Sequence, residues 1–127
     1  MPPADLLTVS LRAASACLGL AFASGLVLAG IRFASDRASP PWLAKLHGFA
    51  AAAGLGLLLT AWAHAALPSG AQWGAGLLLL AACGGVALNL GYHQRGRPLP
   101  EGLVFAHMSL AFVGVLMVGL QALVAGG

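Results

Sequence analysis

Acidic residues are nearly missing from this chain of 127 residues: Asp5, Asp36 and Glu101 are the only three. None lies within a long apolar stretch. No carboxylate pair is therefore available there for acid–base work or an acidic proton relay. Charged residues make up 7% of the chain and hydrophobic ones 60%, at a mean hydropathy of +0.92. A small soluble domain keeps much of its surface in water and has no room to hide so much apolar surface. Alternation of apolar and polar residues is also lacking, which excludes a membrane β-barrel. Only two cysteines occur, Cys17 and Cys83. Their spacing matches no metal motif, and both read as small packing residues without a disulfide between them. There is no Walker loop, no zinc motif and no Ser-His-Asp set at useful spacing.

Four apolar runs are present, at about 11–33, 42–67, 72–92 and 102–124. Each reaches the roughly 20 residues that a spanning helix needs. The chain is therefore expected to be all-α, a four-helix transmembrane bundle, up-down-up-down, with residues 1–127 as one membrane domain. Met1–Leu7 reads as a poorly ordered tail. Leu67-Pro68-Ser69-Gly70 reads as a tight turn. Arg12 ahead of an apolar run and Ala21-Phe22-Ala23 have the look of a signal peptide. The run continues through Ile31, however, so a retained first helix is expected. Ser15, Gly19 and Ala23 form a small-residue ridge expected to pack against a neighbour.

The net charge is +3. Arg32, Arg37 and Lys45 cluster around the first long connection, and Arg95 and Arg97 lie in the last. Only Arg12 lies at the other end. Lys and Arg collect on the cytoplasmic side. This places both long loops in the cytoplasm and both termini outside, in a bacterial inner membrane. The same rule accounts for the basic patch, so no nucleic-acid partner is implied. Trp42, Trp62 and Trp73 lie near run ends, as an aromatic belt requires.

The chain also repeats itself. Shifted by sixty residues, 25–54 falls on 85–114: Gly25 meets Gly85, Arg37 meets Arg97, Pro40 meets Pro100 and His47 meets His107. A repeat is one structural unit used twice, so the bundle reads as two repeated helical hairpins. His47 and His107 then share one depth, about one and a half turns inside their helices. At 100° per residue, His47, Ala51, Gly54 and Leu58 share a stripe, and His107, Ala111, Gly114 and Val118 form its counterpart. Small residues beneath each histidine are expected to leave a slot, with Gly54 and Gly114 lining a cofactor.

Two imidazoles from facing helices are a common way to fill both axial positions of haem b. His47 and His107 are the candidate ligands of one haem b. The arginines of this side, Arg37 and Arg97 among them, and Lys45 are candidate partners of its propionates, with His93 as a further one. Two other readings of the histidines stay open: a structural role, with hydrogen bonds across the bundle or rings facing the interface, or another ligand such as a metal or a quinone. His64, beside Trp62, reads as an interface residue. Asn89 is expected to make an interhelical hydrogen bond.

With His47 and His107 in these places, the chain resembles the small four-helix b-type cytochromes, broadly the cytochrome b561 family. It also resembles small bacterial membrane proteins with repeated Leu-His-Gly-type helix starts, here Leu46-His47-Gly48 and Ala106-His107-Met108. Cytochrome b561 members often carry two histidine pairs on opposite membrane sides. Here only one side offers a pair, since His64 has no partner, so the resemblance implies one haem.

The functional expectation is single-electron transfer in the membrane, to or from a quinone or a redox partner subunit, without enzyme activity of its own. A second expectation is a non-catalytic scaffold subunit within a homo- or hetero-oligomer. A third is a small transporter, in which Asn89 and Gln121 would line a path.

Overall fold

The computed structural model describes residues 3–35 and 37–125. Met1, Pro2 and Asp36 of the segments discussed above lie outside the described residues. Four helices follow the four apolar runs: α1 (Pro3–Ser35), α2 (Pro41–His64), α3 (Ser69–Gly91) and α4 (Glu101–Val124). A short 3-10 turn, His93–Arg95, follows α3. All four helices are long and apolar enough to cross a membrane. No strand occurs among the described residues.

Proline sets three of the four starts. Pro40, Pro68 and Pro100 hold the cap positions of α2, α3 and α4, with ψ between 117° and 145°. Each carbonyl accepts a backbone bond from the first turn, as Leu43 N–H gives to Pro40 O at 3.1 Å. Proline suits this place because its φ is already helical and its missing N–H leaves nothing unpaired. α2 ends at His64, short of the expected 67, because Ala65 is extended at φ −149° and ψ 154°. Leu67 precedes Pro68, a position biased away from helix.

α1 begins at Pro3, well before the expected 11. The expected loose tail is thus helical over its described residues. Pro3 fits a first turn, and Asp5 places a carboxylate near the positive end of the helix dipole. At the other long connection, Gly96 closes the 3-10 turn at φ +62°, a conformation L side chains avoid.

α1 pairs closely with α2, and α3 with α4. Both hairpins are antiparallel, since Gly25 meets His47 while Leu18 meets Gly54, and Gly85 meets His107 while Leu78 meets Gly114. α1 also runs antiparallel to α4. Thr8 Oγ1 donates to Ala125 O at 3.2 Å, Phe22 lies 5.7 Å from Phe112, and Phe33 lies 5.6 Å from Phe105, ring centre to ring centre. α2 and α3 pack together least. The four helices therefore circle in chain order, with α2 and α4 on a diagonal.

The solid core sits at the end of the bundle nearest the α2–α3 turn. Leu11, Leu18, Leu58, Leu67, Leu78 and Val118 are its buried members, joined by alanines. Toward the loop end the interior changes to alanine, glycine and histidine. The outside is apolar throughout, with Phe49, Trp73 and Leu123 each more than 70% exposed. That is what a bundle wrapped by lipid requires. The expected Ser15–Gly19–Ala23 ridge does not form a continuous helix contact: Ser15 is half-buried, but Ala23 is exposed and a Cβ on Gly19 would meet nothing within 4 Å. α1 packs instead through Leu11, Ala14, Leu18 and Ala21, all buried. Neither stripe carries a charge, and only the neighbours decide which faces inward.

Candidate functional site: a pair of imidazoles across the bundle

His47 and His107 come from diagonal helices and meet in the middle, with ring centres 6.0 Å apart and planes inclined at 75°. Each ring is fixed by its own hairpin. His47 Nδ1–H donates to Ala21 O at 2.8 Å, and His107 Nδ1–H donates to Ala81 O at 2.7 Å. A carbonyl only accepts, so Nδ1 carries the proton and the neutral ring keeps its lone pair at Nε2. Ser24 Oγ also donates to Ala21 O, at 2.9 Å. Its counterpart is Gly84, so the His107 carbonyl has no such second side-chain donor.

Glycine makes room for each ring. A Cβ on Gly25 would stand 2.9 Å from His47 Cε1, and one on Gly85 would stand 3.1 Å from His107 Cε1. Carbonyl, glycine and imidazole thus recur at one register in both hairpins: Ala21, Gly25 and His47, then Ala81, Gly85 and His107. The repeat pairs the glycines and the histidines in the sequence, but that each glycine seats a ring shows only in the fold. The same sixty-residue shift carries Ala21 onto Ala81, so the signal for the carbonyls was present, hidden among many alanine matches.

A cavity of about 500 Å³ surrounds the two rings, walled by all four helices. Ala21, Ala51, Ala81 and Ala111 form its small-residue wall, and Arg32, Asn89 and His93 supply polar groups. Gly54 and Gly114 do not line it. Each is buried, and a Cβ there would stand 2.7 Å from the Cγ of Leu18 or Leu78. The room left by these glycines is taken by α1 and α3 drawing close within their own hairpins.

Arg37 and Arg97 are exposed loop residues that do not border the cavity, whereas Arg32 does. His93 borders it at the loop end. Asn89 borders it too and makes no hydrogen bond to another described residue, contrary to the interhelical bond expected. Its exposed position places the amide in the opening instead of between helices. His64 Nδ1–H donates to Thr60 O at 2.8 Å within its own helix, far from the pair. Gln121 packs at Gly70, near the α2–α3 turn, and lines no common path with Asn89. Both cysteines are free.

Among the described residues no group of three or more His, Cys, Asp or Glu converges on one point. A zinc ion asks for three or four protein ligands, and this pair supplies two. Two imidazoles suffice where a macrocycle provides the other ligands. With roughly 1 Å from ring centre to nitrogen and about 2 Å for a metal–imidazole bond, two rings sharing one metal stand about 6 Å apart. That is the separation observed. Comparison with family models, with curated proteins and with solved structures finds no match to this chain.

Proposed function

We propose that this chain is a membrane haem b protein that passes single electrons, with His47 and His107 as axial ligands. The observation that carries the reading is the imidazole pair: two rings at metal-sharing distance, each with Nδ1–H engaged by a carbonyl. Metal-bound histidines commonly donate the other ring N–H in this way, which fixes the tautomer and orients the lone pair. When bound, the haem supplies reversible one-electron chemistry at its iron. The protein's part is to hold two Nε2 atoms in place, to exclude bulk water with an alanine-rich wall and to keep the site dry on the core side. Four-helix b-type cytochromes, which the chain resembles, use such pairs.

The basic residues Arg32, Arg37, Lys45, Arg95 and Arg97 surround the loop end, against Arg12 at the other. In our reading the loop end faces the cytoplasm of a bacterial inner membrane, with both termini outside. The site then lies near the cytoplasmic face, within reach of a quinone or a redox partner subunit. With one site, the chain accepts and delivers electrons on the same side.

The test is a reduced-minus-oxidised visible spectrum of the purified protein made with haem supplied. Sharp b-type bands are expected, lost in both His47→Ala and His107→Ala. A flat spectrum from well-folded protein overturns the proposal and directs attention to the scaffold role, to be pursued through co-purifying subunits.

A further inference from the structure

The two hairpins match at a shift of sixty residues, but the two seams between them do not. Where α1 meets α4, Phe22 lies against Phe112 and Phe33 stacks on Phe105. Moving sixty forward from α1 and sixty back from α4 turns the first pair into Ala82 and Ala52. It turns the second into His93 and Lys45. The seam between α2 and α3 thus carries two alanines where its counterpart carries two phenylalanines. At its loop end a histidine and a lysine replace the second aromatic pair.

Packing follows from this difference. The α1–α4 seam is shut by aromatic rings, and α2 and α3 are the least closely packed neighbours. Gly48, Ala52, Val86, Asn89 and His93 border the cavity and are at the same time exposed, with Leu26 of α1 as the one exposed lining residue elsewhere among those described, so the cavity opens chiefly between α2 and α3. Lys45 is exposed and lies two helical turns before Ala52, on the same face of α2. The mouth therefore combines an apolar slot with a cation, an imidazole and an amide without an internal hydrogen bond.

We propose that the α2–α3 seam is the lateral portal through which a flat apolar cofactor bearing carboxylates reaches His47 and His107, and that Lys45 and His93 hold those carboxylates at its mouth. This rests on the haem reading above. A charge-assisted bond to a carboxylate orients the macrocycle with its acidic edge outward, toward the headgroup layer. Arg37 and Arg97, in the exposed loops, are not needed for it. The apolar body of the ligand passes Ala52 and Ala82, which offer no bulk to displace.

The experiment is the rate at which added haemin develops the bis-histidine spectrum on apo-protein in lipid nanodiscs. Ala52→Phe with Ala82→Phe rebuilds the aromatic pair of the other seam. Loading is expected to slow by about tenfold or more, with the final band unchanged. Ala53→Phe, exposed beside Ala52 but off the cavity, is expected to load at the normal rate. Lys45→Glu covers the case in which the double variant does not fold. It should slow haemin several-fold, about as reversal of a steering charge does, and should not slow haemin dimethyl ester, which lacks the carboxylates. A wild-type protein that never develops the band overturns the haem reading and the portal together. A wild-type protein that loads while the double variant loads equally fast overturns the portal alone. Equal slowing of haemin and its ester by Lys45→Glu overturns the carboxylate assignment.

Discussion

The imidazoles of His47 and His107 meet edge-on, with ring centres 6.0 Å apart and planes inclined at 75°, and each is tied through Nδ1 to a carbonyl 26 residues earlier in the chain. The pairing across the bundle is thus built from two contacts made inside separate hairpins. Each hairpin fixes its own ring against its own glycine, and assembling the hairpins brings the rings together. Preorganisation of this kind lowers the cost of placing a ligand between them.

Gly25→Ala is expected to displace the His47 ring and break its bond to Ala21, because the new Cβ would stand 2.9 Å from Cε1. Gly85→Ala should do the same to His107 more mildly, at 3.1 Å. Haem affinity should fall in both, more in the first, by about tenfold or more where a ligand is misoriented. Gly30→Ala, with nothing within 4 Å, should leave affinity unchanged. Haemin titration of the three variants checks the order.

Gly54→Ala and Gly114→Ala act on stability. Their Cβ atoms would press on Leu18 and Leu78 at 2.7 Å, and on Leu18 backbone nitrogen at 3.0 Å. Overpacking of this kind costs about 1–3 kcal/mol. Replacing the opposing leucine, as in Gly54→Ala with Leu18→Ala, should restore little, because backbone as well as side chain is in the way. Unfolding in detergent mixtures measures both effects.

Ser15 Oγ is buried and has no hydrogen-bond partner among the described residues. Removing an unsatisfied hydroxyl relieves its desolvation cost, so Ser15→Ala is expected to stabilise the fold by about 1 kcal/mol. Ser24→Ala is the contrast. Its hydroxyl donates to Leu20 and Ala21 carbonyls at 2.8 and 2.9 Å, and its loss should not stabilise. Thermal unfolding of the two variants separates them.

The four helices were legible because their signal is length and apolarity, which need no neighbour. The hairpin turns were legible from Pro40, Pro68 and Pro100, whose fixed φ acts locally. The histidine depth followed from the repeat. What could not be read was direction. The helices are apolar nearly all round, so little in α1 distinguishes the Ser15–Gly19–Ala23 stripe, which is only partly covered, from the Leu11–Ala14–Leu18 stripe, which faces in. Gly54 shares a stripe with His47, yet it serves α1 and not the cavity, because the stripe turns toward its own hairpin.

By itself the sequence determined an all-α chain of four long apolar helices, with their loops, turn and one histidine per hairpin at equal depth. Those properties depend on backbone hydrogen bonding and on transfer of side chains from water, both set residue by residue. Only the tertiary structure decided that α2 and α4 stand on a diagonal, that the histidines meet, and that one seam is filled by phenylalanine while the other is open. Those outcomes depend on which of several equally apolar faces fit together, and shape complementarity between distant segments is not written in any one of them.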